Sequence, residues 1–209
     1  MPANIYKLKD GTIVPGVTKV GGIETNQEKQ DKLMSWSWKL GTQGKPWRKE
    51  LREAGDIGAL VHELVMSYWI KEEVDLSGYT LEQCDTARIC AEKIHSWEDL
   101  KDIEPILVEI PLVSEVYKFG GQPDLYAKVN GKNRLIDIKT SGGIYDSHWL
   151  QLAAYGILLS AVRGFKVDEY QILWLPKDGR FGCPIRKNLT KEKKIFKHLL
   201  EIHKLRRGE

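Results

Sequence analysis

The chain has 209 residues, 42% apolar and 29% charged, so a single folded domain with a sizeable core is the expectation. Lys plus Arg exceed Asp plus Glu by 32 to 29, and a formal charge of +3 is too small to establish a nucleic-acid partner, although it leaves room for a local basic groove. No run of about 18 apolar residues occurs, and the opening MPANIYKLKDG lacks a signal-peptide core, so neither a membrane span nor secretion is expected and the cytoplasm is the expected location.

Residues 1–23 contain IYKLKDGTIVPGVTKVGG, a strand-turn-strand pattern turned by Asp10-Gly11. The stretch from Glu24 to Arg52 mixes charge with Trp36, Trp38 and Trp47 and includes the turning piece GTQGKP; it reads as a helix leading into a long loop. It offers too few apolar positions for a core of its own, so residues 1–55 are expected to form an extension that walls a cleft, and 56–209 the main body. From Asp56, DIGALVHELVMSYWIKEE is a buried helical pattern with His62 among its apolar residues. A second helix is expected over residues 80–100, capped by Thr80.

The period then changes. ILVEIPLVS, from Ile106, alternates as a strand does and carries Glu109. YKFGGQPDLYAKV and KNRLIDIKTS flank Asn130-Gly131, a pair suited to the two left-handed positions of a tight hairpin. HWLQLAAYGILLSAVRG reads as a helix stopped by Gly164. YQILWLP and GRFGCPIRK read as a hairpin around Lys177, Asp178 and Gly179, and LTKEKKIFKHLLEIHKLRR as an amphipathic helix with a basic outer face. This order fits an α/β fold with a central mixed sheet flanked by helices. Cys84, Cys90 and Cys183 give no disulfide framework, and an iron–sulfur cluster normally needs four thiolates, so none is expected.

The hairpin carries the chemistry. With Asn130 and Gly131 as its two loop residues, Val129 pairs with Lys132, and counting outward brings Asp124 opposite Asp137 on one face, their Cβ atoms about 5 Å apart. Two anions that close destabilise the fold and raise one pKa unless a cation lies between them. Such oxygen ligands suit Mg²⁺ or Mn²⁺ better than a sulfur-rich zinc site, and Glu109 can complete the carboxylates. Lys139 points to the same face as Asp137 and Leu135, whereas Ile136 and Ile138 fill the other. A solvated face holding a structural salt bridge is the plain reading; a mixed acidic and apolar face fits a cleft floor better. Phosphodiester hydrolysis needs these groups together, because a metal polarises a phosphoryl oxygen and acidifies water while a lysine orients that water or neutralises the transition state. The backbone carbonyl of Ile138 is a further ligand on the same strand. The residues alone leave His62 open between a core histidine and a nitrogen ligand. They also leave Gln151 and Tyr155, four apart on one helix face, open between a packing pair and contacts to the carboxylates or a phosphate.

In order along the chain, Glu109, Gly121-Gln122-Pro123-Asp124 and Asp137-Ile138-Lys139 resemble the active-site signature of the PD-(D/E)XK nuclease superfamily. Gly58-Ala59-Leu60-Val61-His62 upstream, with Gln151 and Tyr155 downstream, is similar to the further elements of its RecB-like exonuclease branch, which includes mitochondrial genome maintenance and CRISPR-associated nucleases. The likeness runs from Asp56 to Tyr155. It implies a restriction-endonuclease-like core and a Mg²⁺- or Mn²⁺-dependent deoxyribonuclease in which His62, Asp124 and Asp137 bind metal, with Glu109 a further ligand or a support of the metal site. Lys139 would be the catalytic lysine, with Gln151 and Tyr155 positioning the site or the DNA. An exonuclease acting at linear ends, single strands included, is the expected function. A structure-selective or nicking endonuclease and a weakly catalytic DNA-binding accessory protein are the alternatives. By analogy with small proteins of similar organisation, the setting is recombination, repair or replication in a phage or other mobile element, alongside the proteins of those processes.

Outside the acidic cluster, Lys45, Arg48, Lys49 and Arg52 could flank one side of a cleft and Lys177, Arg180, Arg186 and Lys187 another, gripping phosphates. Trp36, Trp38 and Trp47 either stack on unpaired bases or pack locally.

Overall fold

The computed structural model describes residues 4–22 and 27–208, so parts of the expected 1–55 extension and the last residue of 56–209 lie outside the described residues. A small antiparallel hairpin of β1 (Tyr6–Lys7) and β2 (Ile13–Val14) opens the described chain, turned as expected around Asp10-Gly11. The short α1 (Val17–Gly21) and then α2 (Gln27–Thr42) follow. Next comes α3 (Trp47–Ile70), which starts nine residues before the expected Asp56. What reads as a long loop is therefore only residues 43–46, because Pro46 cannot extend the first helix yet sits well at the start of the next. The early turns of α3 are polar and largely exposed, which hid their helical period from an apolar-pattern reading.

The helix α4 (Leu81–Glu92) begins at Thr80 as expected, with a reciprocal capping box between Thr80 and Gln83. It stops well short of residue 100: two 3₁₀ turns, Lys93–Ser96 and Glu98–Asp102, bracket the buried Trp97. ILVEIPLVS is likewise not one strand. β3 (Ile103–Val108) ends where Glu109 takes a left-handed φ of 50°, and β4 (Leu112–Ser114) pairs instead with β5 (Phe119–Gly121). Pro111, which has no N–H for a ladder, lies between the two.

The hairpin of β6 (Leu125–Val129) and β7 (Lys132–Lys139) has the expected register, from Val129–Lys132 down to Leu125–Ile136. Asn130 and Gly131 both have positive φ, 50° and 77°, as a two-residue primed turn requires. α5 (Asp146–Arg163) then crosses over to β8 (Glu169–Trp174), which lies parallel to β7; Gly164 ends the helix at φ 68°. β9 (Ile185–Arg186) pairs antiparallel to β8, and α6 (Thr190–Arg207) closes the described chain. The five-stranded sheet runs β3-β6-β7-β8-β9 and is mixed.

Strand alternation divides the core into two layers. Tyr126, Leu135, Tyr170 and Ile172 pack on α1, α5 and α6, while Leu125, Ala127, Ile136, Ile138 and Leu173 pack on α3 and α4. A side chain such as Leu152 of α5, 0% exposed, contributes about 2–5 kcal/mol by the cost of its truncation to alanine. The second layer also encloses an ion network: Arg134 donates from Nε and Nη2 to Glu169 Oε2 at 3.1 and 2.7 Å, and Lys132 donates to Glu169 Oε1 at 2.7 Å. Among the described residues, no helix is long and apolar enough to cross a membrane.

Candidate active site

The hairpin register delivers the acidic pair. Its last ladder pair is Leu125–Ile136, so Asp124 stands one residue beyond the ladder beside Asp137, and its Oδ2 accepts a hydrogen bond of 2.7 Å from the Ile138 N–H. Strand alternation turns Asp137 and Lys139 toward the α5 face. The Asp137 side chain is 0% exposed; the Lys139 ammonium forms an ion pair with its Oδ2, yet neither Asp137 oxygen has a hydrogen-bond partner among the described residues.

From the other side α3 presses on the end of β7. A Cβ on Gly58 would lie 2.8 Å from Thr140 Oγ1, so the bare glycine sets this approach. One helical turn later His62 reaches between two carboxylates, with Nδ1 3.1 Å from Glu109 Oε1 and Nε2 3.1 Å from Asp124 Oδ1. Glu109 is held by its kinked backbone, whose N–H donates to the Asp124 carbonyl at 2.9 Å. On α5, Gln151 Nε2 donates to the Tyr155 hydroxyl at 2.8 Å. Tyr155 lies flush against Gly121, where an added Cβ would come within 2.7 Å of its ring. The structure thus gathers His62, Glu109, Asp124, Asp137, Lys139, Gln151 and Tyr155 at one end of the sheet. Ile138 contributes its N–H there, to Asp124.

Electrostatics follow from this crowding. Burial alone would lower the His62 pKa, but Asp124 and Glu109 on either side outweigh it and lift the imidazole to about 10. Burial lifts the Asp137 carboxyl to about 6, against the pull of Lys139 and helped by the charge of Asp124. Asp124 moves the other way: burial opposes ionisation, yet His62, Lys139 and the Ile138 N–H hold it below the usual carboxylate range. Burial, followed by the negative charge of Asp124 and Asp137, pushes the Tyr155 hydroxyl well up, so it stays protonated as a donor.

Among the described residues no three His, Cys, Asp or Glu side chains are gathered at ion-binding spacing. The donor chemistry nevertheless fits a hard divalent cation. Asp137 offers two buried oxygens, one ion-paired to the Lys139 ammonium and neither hydrogen-bonded among the described residues, beside a second carboxylate, and such oxygen ligands suit a hard cation. His62 Nε2 is the nitrogen donor, available once its proton has left.

Beside Lys139 and Gln151 opens a groove of about 380 Å³, also lined by Thr18, Gln30, Ser147 and Leu150. Its walls come from four helices far apart in sequence, and nothing in the residue pattern of the chain marks Thr18, Gln30 or Ser147. His148 lies buried in the groove wall and accepts a 3.3 Å hydrogen bond from the Tyr145 N–H.

No protein-family model and no curated relative matches the sequence. Among solved structures, an exonuclease candidate from Eubacterium rectale has a similar fold, with a TM-score of 0.50 and 15% identity over 72% of this chain. The match covers 65% of that protein, so this chain spans less than two thirds of its length. The fold is restriction-endonuclease-like. LHK-Exo in complex with dAMP is a more distant match, with a TM-score of 0.35 and 16% identity over 74% of this chain and 95% of that one.

The expected basic flanks are partly engaged within the protein. Arg186 pairs with Glu192 at 3.1 Å and stacks over Trp149, Arg180 pairs with Asp178 and stacks over Trp174, and Lys49 pairs with Glu53. Burial lowers the Lys177 pKa, against the pull of Cys90, Glu53 and Glu50. Trp38, whose parity with Trp36 suggests a local packing role, is 73% exposed, and Trp36 is half-buried.

Proposed function

We propose that this chain is a metal-dependent nuclease that hydrolyses phosphodiester bonds in DNA, acting as an exonuclease at strand ends. The observation that carries the reading is Asp137: a fully buried carboxylate that is ion-paired to the Lys139 ammonium, has neither oxygen hydrogen-bonded among the described residues, and stands beside Asp124 next to a groove lined by Lys139. Such a group destabilises the protein that keeps it, a pattern that belongs to functional sites. The fold shared with the Eubacterium rectale exonuclease candidate is compatible with this reading.

Asp124, Asp137 and His62 would hold Mg²⁺ or Mn²⁺, with Glu109 behind the imidazole, and the ion would supply Lewis acidity toward the phosphate and the attacking water. Lys139, its side chain 17% exposed, faces the groove and is placed to hold that water or to offset negative charge building on the phosphate. The Gln151 amide, pinned by one N–H to Tyr155, keeps its second N–H for a phosphate oxygen.

The test follows linear DNA labelled separately at its 5′ and 3′ ends, with a closed-circular control, in Mg²⁺, Mn²⁺ or chelator, for the parent and for Lys139→Ala. Metal-dependent loss of one label, intact circles and collapse in the variant are expected. Cut circles with the same lysine dependence would make the protein an endonuclease, and DNA binding without cleavage in either metal would make it an accessory binder.

A further inference from the structure

Two consecutive glycines lead into the acidic site, and a tyrosine ring lies against each. A Cβ on Gly120 would stand 2.3 Å from Cγ of Tyr6, and one on Gly121 would stand 2.7 Å from Cε1 of Tyr155. Adjacent strand residues face opposite ways, so Tyr6 of β1 and Tyr155 of α5 close on the two sides of one backbone. We infer that Tyr6 is a positioning residue for Asp124: its ring completes a clamp on Gly120-Gly121 that fixes where the carboxylate stands. What the carboxylate then does rests on the nuclease reading.

Further contacts tie the clamp down. The Gly120 N–H donates to the Pro15 carbonyl at 3.0 Å, just beyond β2, and Val17 of α1 meets the Gly121 side, 2.8 Å from the same added Cβ. Asn4 Nδ2 donates to Gln122 Oε1 at 2.6 Å, and Asn4 also hydrogen-bonds the Tyr6 hydroxyl. Only Gln122 and Pro123 separate the glycines from Asp124, and Pro123 is buried with its φ fixed by the ring. The β6–β7 ladder begins at Leu125, so the placement of Asp124 from upstream depends on β5 and on what packs against it. Downstream, the Glu109 N–H on the Asp124 carbonyl and the Ile138 N–H on Oδ2 hold the other side of the residue. Tyr6 itself is half-buried and belongs to neither core layer, so bulk packing of the core does not account for a ring pressed on Gly120.

The experiment compares the parent with Tyr6→Ala and Tyr6→Phe, and with Asn130→Ala as a variant destabilised at the far end of the β6–β7 hairpin. Mn²⁺ binding is titrated by calorimetry without DNA, and kcat and KM are measured on end-labelled DNA per folded molecule. Groups that orient a metal ligand typically carry about 10–100-fold in metal affinity or activity. Tyr6→Ala is expected to weaken Mn²⁺ binding about tenfold and to lower kcat about tenfold with KM nearly unchanged. Tyr6→Phe, which keeps the ring, restores both, and Asn130→Ala alters neither. A ring that merely packs would lower the thermal midpoint alone. Parent-like Mn²⁺ affinity and kcat in Tyr6→Ala, a Phe variant as impaired as the Ala variant, or an equal loss in Asn130→Ala would overturn the inference and leave the nuclease reading standing. Should Tyr6→Ala not fold, Tyr6→Leu, which keeps apolar bulk without the flat ring, is read in its place. If the parent binds Mn²⁺ but cuts no DNA, the nuclease reading fails and the Mn²⁺ titrations still decide the clamp; a parent that neither binds Mn²⁺ nor cuts sinks both.

Discussion

Replacing Arg134 by Met probes what holds the sheet together on the face away from the groove. Arg134 and Glu169 have side chains only 5% exposed, and the guanidinium supplies two of the three side-chain hydrogen bonds that Glu169 receives. It also donates to Asp99 and to Gln171. Breaking a buried pair from one side typically costs about 3–5 kcal/mol, because the remaining charge stays buried. Lys132, its side chain 52% exposed, still reaches Glu169, so the lower figure, about 3 kcal/mol, is expected here. For a chain of this size that is a fall of about 6–12 °C in Tm. Arg134→Met with Glu169→Leu removes both charges from an apolar layer and should return to within about 1 kcal/mol of the parent. Burial by itself raises the Glu169 pKa, but the hydrogen bonds from Lys132 and Arg134 prevail and hold it below 4.5. Because the folded pKa lies below the unfolded one, the carboxylate's contribution is complete above about pH 4.5 and is lost as the pH falls through the folded value. The deficit of Arg134→Met should therefore narrow in acid. Thermal unfolding followed by circular dichroism across the four-protein cycle, at neutral and acid pH, gives every quantity. A single variant within about 1 kcal/mol of the parent, or a double variant as unstable as the single, would refute this reasoning.

Three other perturbations test the site and its support. Asp137→Asn should stabilise the protein in chelator by about 0.5–2 kcal/mol while abolishing cleavage and the rise in Tm that Mn²⁺ gives the parent, all read by thermal shift and end-label release. Gly121→Ala drives a methyl into Tyr155 and Val17, so a loss of about 1–3 kcal/mol should come with a drop in cleavage per folded molecule, from activity normalised to folded fraction. Asn130→Ala leaves a left-handed residue without its tolerant side chain and removes a 2.8 Å hydrogen bond to Asp99; denaturant titration should show about 1–2 kcal/mol lost, and less for Asn130→Gly.

Local chemistry that recurs at short range was legible in the sequence. Asn130-Gly131 announces its turn, the register follows by counting, and Asp124 does reach the backbone beside Asp137. Thr80 and Gln83 form the expected helix start, and Gly164 the expected stop. The first turns of α3 were not legible, because Arg48 to Asp56 carries no apolar stripe to set a period. Nor was the kink at Glu109, where a tertiary hydrogen bond to the Asp124 carbonyl overrides the alternation of ILVEIPLVS. His62 shows why a motif and a contact are different kinds of knowledge: helical spacing left its partners open, and only the approach of α3 permitted by Gly58 shows two carboxylates around it. The groove was invisible for a similar reason, since Val17, Ser147 and Phe196 meet only after four helices have packed.

The tight turn at Asn130-Gly131 makes the hairpin a ruler whose zero mark lies well away from the chemistry. Strand side chains alternate with a period of two, so one residue inserted on a single arm between the turn and Asp137 would exchange the two faces of that arm. Ile138 would then be offered to the groove and Asp137 to the apolar layer on α3 and α4. Length changes are thus forbidden along this ribbon even where the individual side chains are replaceable, whereas the loop around Asp178 and Gly179, which sets no such register, can lengthen freely.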